Sequence, residues 1–446
     1  MEAQFTTVSR DTSWLRLAAL FVCASICVII AEIAGPLTIP LGGAYKVTLL
    51  PFLWALLIGA VWGTVSTRLP PFMKVDNSIQ RLASAALQFA LLLFIAKLGL
   101  LVGGSLPKIL TAGWALAFQE FGHFFGTAVI GLPIALLLGI KREAIGATFS
   151  VGREPSLAII GERYGMSSPE GHGVLAEYIT GTVFGAVFIS IFASLVTSLN
   201  IFHPHALAMG AGMGSGSLMA AAAGAISAQQ TPEMAKEVAA FAAASNLITT
   251  TIGTYFTLFL SLPFTVWAYK VLEPILGRGK GQPVEATPAF TQSEQVVDKP
   301  EALSIPQILT LWLGVGVIGL AANYIAFKTV PDAVTVSGMG IILGCVVVGY
   351  ILYKLARGVL PAVLWVSLVA MALTYPGTPF AAETVAMTGK ISFLALATPV
   401  IALAGLSIAK DLPVFRRLGW RIVVVSLAAN AGTFLGGAFV AQFFMH

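Results

Sequence analysis

Two stretches of this chain put chemically capable residues where an apolar run would otherwise continue. Residues 144–161 read Ala-Ile-Gly-Ala-Thr-Phe-Ser-Val-Gly-Arg-Glu-Pro-Ser-Leu-Ala-Ile-Ile-Gly, so Arg153, Glu154 and Pro155 interrupt a hydrophobic segment. Residues 206–228 carry Gly210, Gly212, Gly214 and Gly216 at alternate positions, then Ser215 and Ser217 and an alanine-rich run to Gly224. A guanidinium offers a planar fork of donors that matches a carboxylate, and amides exposed at a Gly-Ser turn can hold an anion directly. The chemistry indicated is binding of a small anion by Arg153, Gly152 and Ser156 from one break and by Gly214, Ser215, Gly216 and Ser217 from the other. The competing readings are structural: an ion pair of Arg153 with Glu154 or a distant acid, and tight packing at the glycines.

Other ionisable residues inside apolar runs are functional hypotheses, because lipid penalises them unless they face a polar interior. Glu154 and Glu177 are candidates for carrying a coupling ion; Glu177 has Gly181 and Gly185 below it on one face, and it either carries a proton or stabilises a helix N-terminus. Asn246, Thr250 and Gly253 share a face in a run crowded with Ser245, Thr249, Thr251 and Thr254. Such oxygens suit a hard monovalent cation, or ordinary interhelical hydrogen bonds. Glu120 and His123, three residues apart, suggest a proton relay or an internal hydrogen bond rather than a di-iron centre, which needs a second copy and more carboxylates. Lys97 is expected to pair with Glu120 across adjacent helices. Asn430 and the segment Tyr375–Pro379 are lesser candidates. Cys23, Cys27 and Cys345 read as small core residues; no metal or other cofactor is expected beyond Na+ or H+ as a coupling ion.

These residues need a membrane scaffold. The chain of 446 residues is 57% hydrophobic and only 10% charged, too few charges to cover a soluble fold of that size. Repeated apolar runs of about 20 residues make it an integral membrane protein, and its net charge of +5 sits in short loops rather than in a nucleic-acid footprint. Spans are expected at Trp14–Ala34, Val47–Val65, Leu82–Val102, Gly113–Leu138, Gly173–Leu199, Val238–Tyr269, Ile305–Phe327, Val334–Tyr353, Val359–Leu373, Ile391–Ile408 and Ile422–Phe444, with the two broken segments between them. The fold class is all-α integral membrane, with about 11–13 segments counting the breaks. Whether 144–161 and 206–228 cross or re-enter is left open. The organisation is 1–143 as N-terminal scaffold, 144–275 as core, 276–304 as a solvated linker and 305–446 as C-terminal helices. The first apolar run is followed by Glu32 and Pro36 rather than a cleavage site and reads as an uncleaved span. Basic residues fall on one side if the N-terminus and linker are cytoplasmic, a pattern that suits a bacterial inner membrane.

An internal repeat sets nine identities between positions 99–131 and 405–437 in one ungapped register, among them Gly99/Gly405, Leu-Pro at 106 and 412, Gly-Trp at 113 and 419, and Gly-Thr at 126 and 432. The connecting loops differ in charge, Lys108 alone against Lys410, Arg416 and Arg417, so the copies face opposite ways: an inverted repeat. A fainter duplication pairs Ser168-Pro169-Glu170 with Thr231-Pro232-Glu233, each after a broken segment and before a long run.

Two glycine-marked breaks, the inverted repeat and the linker resemble the secondary transporters that include sodium–glutamate symporters and 2-hydroxycarboxylate carriers. The resemblance reaches Gly152–Pro155 and Gly210–Ser217, and implies that glycine-rich tips carry substrate and cation. It departs in the Arg-Glu-Pro of one tip and in placing both breaks before the linker. The whole chain also resembles bacterial membrane proteins of a family of unknown function. No Walker sequence, Gly-x-Ser-x-Gly or His-Glu-x-x-His occurs. The expectation is therefore an ion-coupled carrier of a small anionic organic solute, a carboxylate or amino acid, not an enzyme, with a homodimer possible. A channel or regulated pore, and an intramembrane enzyme or scaffold, are the alternatives.

Overall fold

Helices in this chain start where proline or a hydroxyl cap releases them from the preceding backbone. Pro51, Pro169, Pro204 and Pro232 open their helices, at a position whose N–H would have no partner anyway. Ser168 and Thr231 accept from the amides of Gly171 and Met234 and so cap the two helices that follow them. The computed structural model describes residues 10–42, 45–66, 74–277, 303–357, 360–412, 415 and 419–445, without the side chains of 10–13, 45, 153 and 154. Most of the linker, and Arg416 and Arg417 with it, lies outside the described residues.

The order is α1 (Arg10–Ala34), a hairpin of β1 (Leu37–Gly42) and β2 (Tyr45–Leu49), α2 (Pro51–Val65), α3 (Asn77–Thr111) and α4 (Trp114–Leu137). The core follows: α5 (Glu143–Thr148), α6 (Arg153–Arg163), then α7 (Pro169–Thr180) running through a π-helical turn at Gly181–Gly185 into α8 (Ala186–Ser198). Its second half is α9 (Pro204–Ala211), α10 (Gly216–Ser227), then α11 (Pro232–Phe256) running through a π turn at Thr257–Ser261 into α12 (Leu262–Leu276). Beyond the linker come α13 (Ile305–Phe327), α14 (Ala333–Leu355), α15 (Ala362–Thr374), α16 (Ala381–Gly389), α17 (Phe393–Ile408) and α18 (Trp420–Phe444).

Among the described residues eight helices are long and apolar enough to cross a membrane, or nine if α16 and α17, bent by 60°, form one span; α2, α10 and α15 are shorter apolar helices. Large apolar side chains such as Leu15, Trp114, Phe259, Trp267, Phe439 and Phe443 are exposed, while Glu120, His123, Asn246 and Asn430 are buried. That inversion of a water-soluble surface belongs in lipid. The chain is a multi-span helical membrane protein.

Two sequence expectations need correction. The span expected at Val47–Val65 is helical only from Pro51: Val47–Leu49 end β2, Leu50 is extended ahead of Pro51, and Val47 and Thr48 pair with Ile39 and Thr38 in the antiparallel hairpin. β-branched residues favour such pairing, and Ser194 of α8 accepts the Thr48 amide at 2.8 Å. The expected Lys97–Glu120 pair does not form. Lys97 donates instead to the carbonyl of Thr388, at the end of α16, at 2.7 Å. A third break, between α16 and α17, also went unforeseen.

Glycines set the helix crossings. Gly122 and Gly126 of α4 lie against the backbone of Gly436 and Gly432 of α18, and the approach is mutual. Gly99 of α3 meets Ser367 and Ala370 of α15, as Gly405 of α17 meets Leu56 of α2. With lipid as solvent, such close backbone packing is a principal source of helix association.

Two surface clamps lead to predictions. Arg142 donates twice to one oxygen of buried Glu170, at 2.8 and 2.7 Å, tying the start of α5 to α7; the carboxylate in turn raises the guanidinium further above its ordinary value. Arg142→Ala strands that carboxylate and is expected to lower stability by about 1–3 kcal/mol, towards the low end because the guanidinium is 58% exposed. Adding Glu170→Gln is expected to restore most of the loss in thermal unfolding in detergent. At the other end Asp332 caps α14, accepting from Thr335 N at 2.8 Å, and takes Lys390 Nζ at 2.8 Å. Lys390 first, then the Thr335 groups, hold its carboxyl well below the usual range. A depressed folded value means the stabilisation is complete above the unfolded carboxylate pKa of about 4 and disappears as pH falls through the folded one. The stability gap between wild type and Asp332→Asn is therefore expected to narrow on acidification below that point.

Candidate functional site

The two helix breaks meet. Between α5 and α6 the chain is non-helical around Ser150–Gly152, where Ser150 Oγ accepts the Gly152 amide at 2.9 Å. The carbonyl of Phe149 accepts from Ser261 Oγ, at the end of the second π turn. Between α9 and α10 the break is Gly212–Ser215, and Gly214 has φ +81°, a left-handed backbone that needs glycine. A Cβ on Gly212 would strike Ser245 of α11.

The breaks enclose a cavity of about 260 Å³ together with α3, α4, α11, α15 and α18. Helices α6 and α10 both start at its wall, from Gly152 and Ser215, and neither start has a side-chain cap. Aligned peptide dipoles make such starts favourable to negative charge. Among the described residues lining the cavity there is no Asp, Glu, Lys or Arg, and His123 is its one titratable group. Ser156 Oγ and Asn246 Oδ1 are buried there without a hydrogen-bond partner. Buried polar atoms of this kind call for a ligand, water or ion.

Sequence reasoning placed many of these residues. Gly152, Ser156, Gly214, Ser215, Gly216, Ser217, Asn246, Thr250 and His123 all line the cavity, and so does Gly253 on the face shared with Asn246 and Thr250. The backbone of Arg153 and Glu154 opens α6; their side chains lie outside the described residues. Glu177 is buried in α7 and is not part of the lining. Asn430 donates to the carbonyl of Ser426 at 2.8 Å within α18 and also stays off the wall. Glu120 sits one layer behind: Thr249, a lining residue, lies 2.5 Å from its Oε1, and Gln119 2.7 Å.

Thr127 and Thr433 went unrecognised as site residues, although their signal was in view. They are the threonines of the repeated Gly-Thr pair; their hydroxyls meet at 2.7 Å and both line the cavity. Gln119 and Ser150 carry no comparable pattern. Among the described residues no cluster of three metal-ligating side chains occurs.

Comparison with known proteins gives one match, the family described as "Protein of unknown function (DUF3100)", over residues 29–271. No curated protein and no solved structure matches the chain.

Proposed function

We propose, for a chain that belongs to the DUF3100 family of proteins of unknown function, that the cavity carries a small organic anion across the membrane. The family assigns no activity, so the reading comes from the site. Its chief support is one observation: two helix starts without a side-chain cap, at Gly152 and Ser215, open into one cavity that has no acidic lining residue among those described. Discontinuous helices with their positive ends aimed at an anion are a carrier's device, and irregular backbone at membrane depth is tolerated where it lines such a cavity. The volume of about 260 Å³ holds roughly nine waters' worth of solute, which fits a small carboxylate or amino acid. Serine hydroxyls and freed amides are suited to its carboxyl, and Asn246 and Thr250 to its polar remainder or to a companion ion.

The inverted repeat supports alternating access. Equivalent positions of the two copies touch: Gly126 against Gly432, and Thr127 against Thr433. Antiparallel contact between equivalents is what a two-fold relation in the membrane plane produces. We place the basic loops, and with them the N-terminus and linker, on the cytoplasmic side of a bacterial inner membrane.

The test is uptake into proteoliposomes of a panel of radiolabelled hydroxycarboxylates, dicarboxylates and amino acids, with imposed sodium or pH gradients. Gradient-dependent accumulation and solute counterflow support a carrier. Flux that only dissipates gradients makes the protein a channel, and the absence of any flux from folded protein removes the proposal.

A further inference from the structure

The hydrogen bonds behind the cavity wall contain a proton count. Thr249 Oγ1 lies 2.5 Å from Glu120 Oε1, 2.8 Å from the Gly212 carbonyl and 3.1 Å from the Ser245 carbonyl. A hydroxyl has one hydrogen, and carbonyls have none to give. Of these three oxygens only the carboxyl can bring a second. A protonated Glu120 donates to Thr249, and Thr249 then donates to Gly212.

Gln119 fixes which way this count can be satisfied. Ser245 Oγ is 2.8 Å from Gln119 Oε1 and 2.7 Å from the Met209 carbonyl, so its single hydrogen again faces two acceptors. Turning the Gln119 amide over lets its nitrogen donate to Ser245 and frees Ser245 for Met209. The amide oxygen would then face the same Glu120 oxygen, whose one hydrogen is already taken by Thr249, so the orientation consistent with the Thr249 count is the one in which Gln119 Nε2 donates to Glu120 at 2.7 Å. With Gln119 donating, a carboxylate at Glu120 still leaves Thr249 with one hydrogen between the Glu120 and Gly212 oxygens inside a buried site, an arrangement that buried polar groups avoid.

His123 repeats the pattern. Its Nδ1 is 3.2 Å from the Thr433 carbonyl and its Nε2 3.1 Å from the Met209 carbonyl. Only a ring protonated at both nitrogens has a hydrogen for each. Gly437 leaves room for the ring, since a Cβ there would run into it.

We infer that Glu120 and His123 form a joint proton-binding site, loaded in this conformation, whose protons hold the α9 end of the second break in place. The oxygens they secure belong to the last turn and the C-cap of α9: the Met209 carbonyl, which also takes the Gly212 amide at 3.0 Å and Ser245 Oγ at 2.7 Å, and the Gly212 carbonyl. Unloading withdraws those donors and frees the break to rearrange. Glu120 gives up its proton through Thr249, and His123 directly, to water in the cavity that both Thr249 and His123 line. A loaded pair presents one positive charge to the cavity, the sign an anionic solute requires. Its role as the coupling element rests on the carrier reading; the presence of the protons does not.

Among the described side chains no other charged group competes for the pair; those of Arg153 and Glu154, at the start of α6, lie outside them. On α9, His205 is turned to Glu237 of α11 at 2.7 Å, and Glu237 also takes Lys108. Lys236 and Glu233 lie further towards the start of α11, Glu143 starts α5, and Lys270 and Glu273 belong to the far end of α12. Arg421 lies in the first turn of α18, and Lys97 of α3 is committed to Thr388.

Infrared spectra of the purified protein over a pH series test the site without any solute. The expected result is a protonated-carboxyl C=O band at neutral pH that is lost in Glu120→Gln and shifted in Glu120→Asp, with 15N spectra showing one imidazolium that His123→Gln removes. A folded wild type with no protonated-carboxyl band at neutral pH, or a band unchanged in whichever Glu120 variant folds, overturns the proposal. So does a His123 signal that reports a neutral ring. In vesicles loaded with a pH-sensitive dye and challenged with the carboxylate panel, proton entry is expected in wild type and lost in Glu120→Gln. Sodium-driven uptake without proton entry overturns the coupling role while leaving the carrier reading intact.

Discussion

Leucine in place of Gly126 is expected to abolish the folded protein. A Cβ at this position would meet the Gly432 carbonyl of α18, and Gly122 and Gly436 make a second close approach on the same crossing. Overpacking a core usually costs about 1–3 kcal/mol because side chains can yield. Here the obstacle is backbone, which can yield only by moving a whole helix, and α18 also packs on α9. A cost at or above the top of that range is a large share of the roughly 5–15 kcal/mol that holds a domain together. Monodisperse yield after detergent extraction and thermal unfolding measure the effect, with Gly126→Ala expected to be milder. Gly340→Ala is the control: nothing lies within 4 Å of a Cβ there, and helix propensity favours alanine. If Gly126→Leu extracts and unfolds like Gly340→Ala, α4 and α18 are not locked by this contact.

Thr249→Val is the second large effect, and it is expected in transport more than in folding. Valine has nearly the same shape and lacks the hydroxyl that reaches Glu120 and the Gly212 carbonyl. Leaving a buried acceptor without its partner costs about 1–3 kcal/mol. Spent on the geometry of the second break, that corresponds to roughly a ten- to hundredfold loss of uptake. Thr249→Ser keeps the hydroxyl and is expected to retain most of the rate. Equal uptake by Thr249→Val and Thr249→Ser would detach this hydroxyl from the function.

The helices were legible because apolar runs of membrane length admit few alternatives: Ile305–Phe327 came out residue for residue. Both breaks were legible because Gly214 and the Arg-Glu-Pro run contradict an otherwise uniform lipid-soluble pattern. The hairpin was not, since Val47–Leu49 are as apolar as the helix they precede and only Pro51 marks the change. Nor was the destination of Lys97, because a carbonyl acceptor at Thr388 leaves no trace in residue type. The bend after Gly389 was hidden in the same way: an apolar run reads alike whether it crosses or turns. Thr127 and Thr433 show the limit most clearly. Their recurrence in register was visible, but only their antiparallel meeting turns a repeat marker into part of a cavity wall.

The π turn at Thr257–Ser261 begins on a cavity residue and ends on the hydroxyl that holds the Phe149 carbonyl of the other break. A wide turn stores one surplus residue, and the surplus can travel along a helix by exchanging one peptide pairing at a time. A ratchet of that kind lets a rod surrounded by lipid change its length locally without baring its amides. One such rod holds both gaps, the Gly212 carbonyl through Thr249 and the Phe149 carbonyl through Ser261, so a shift in its register reaches both.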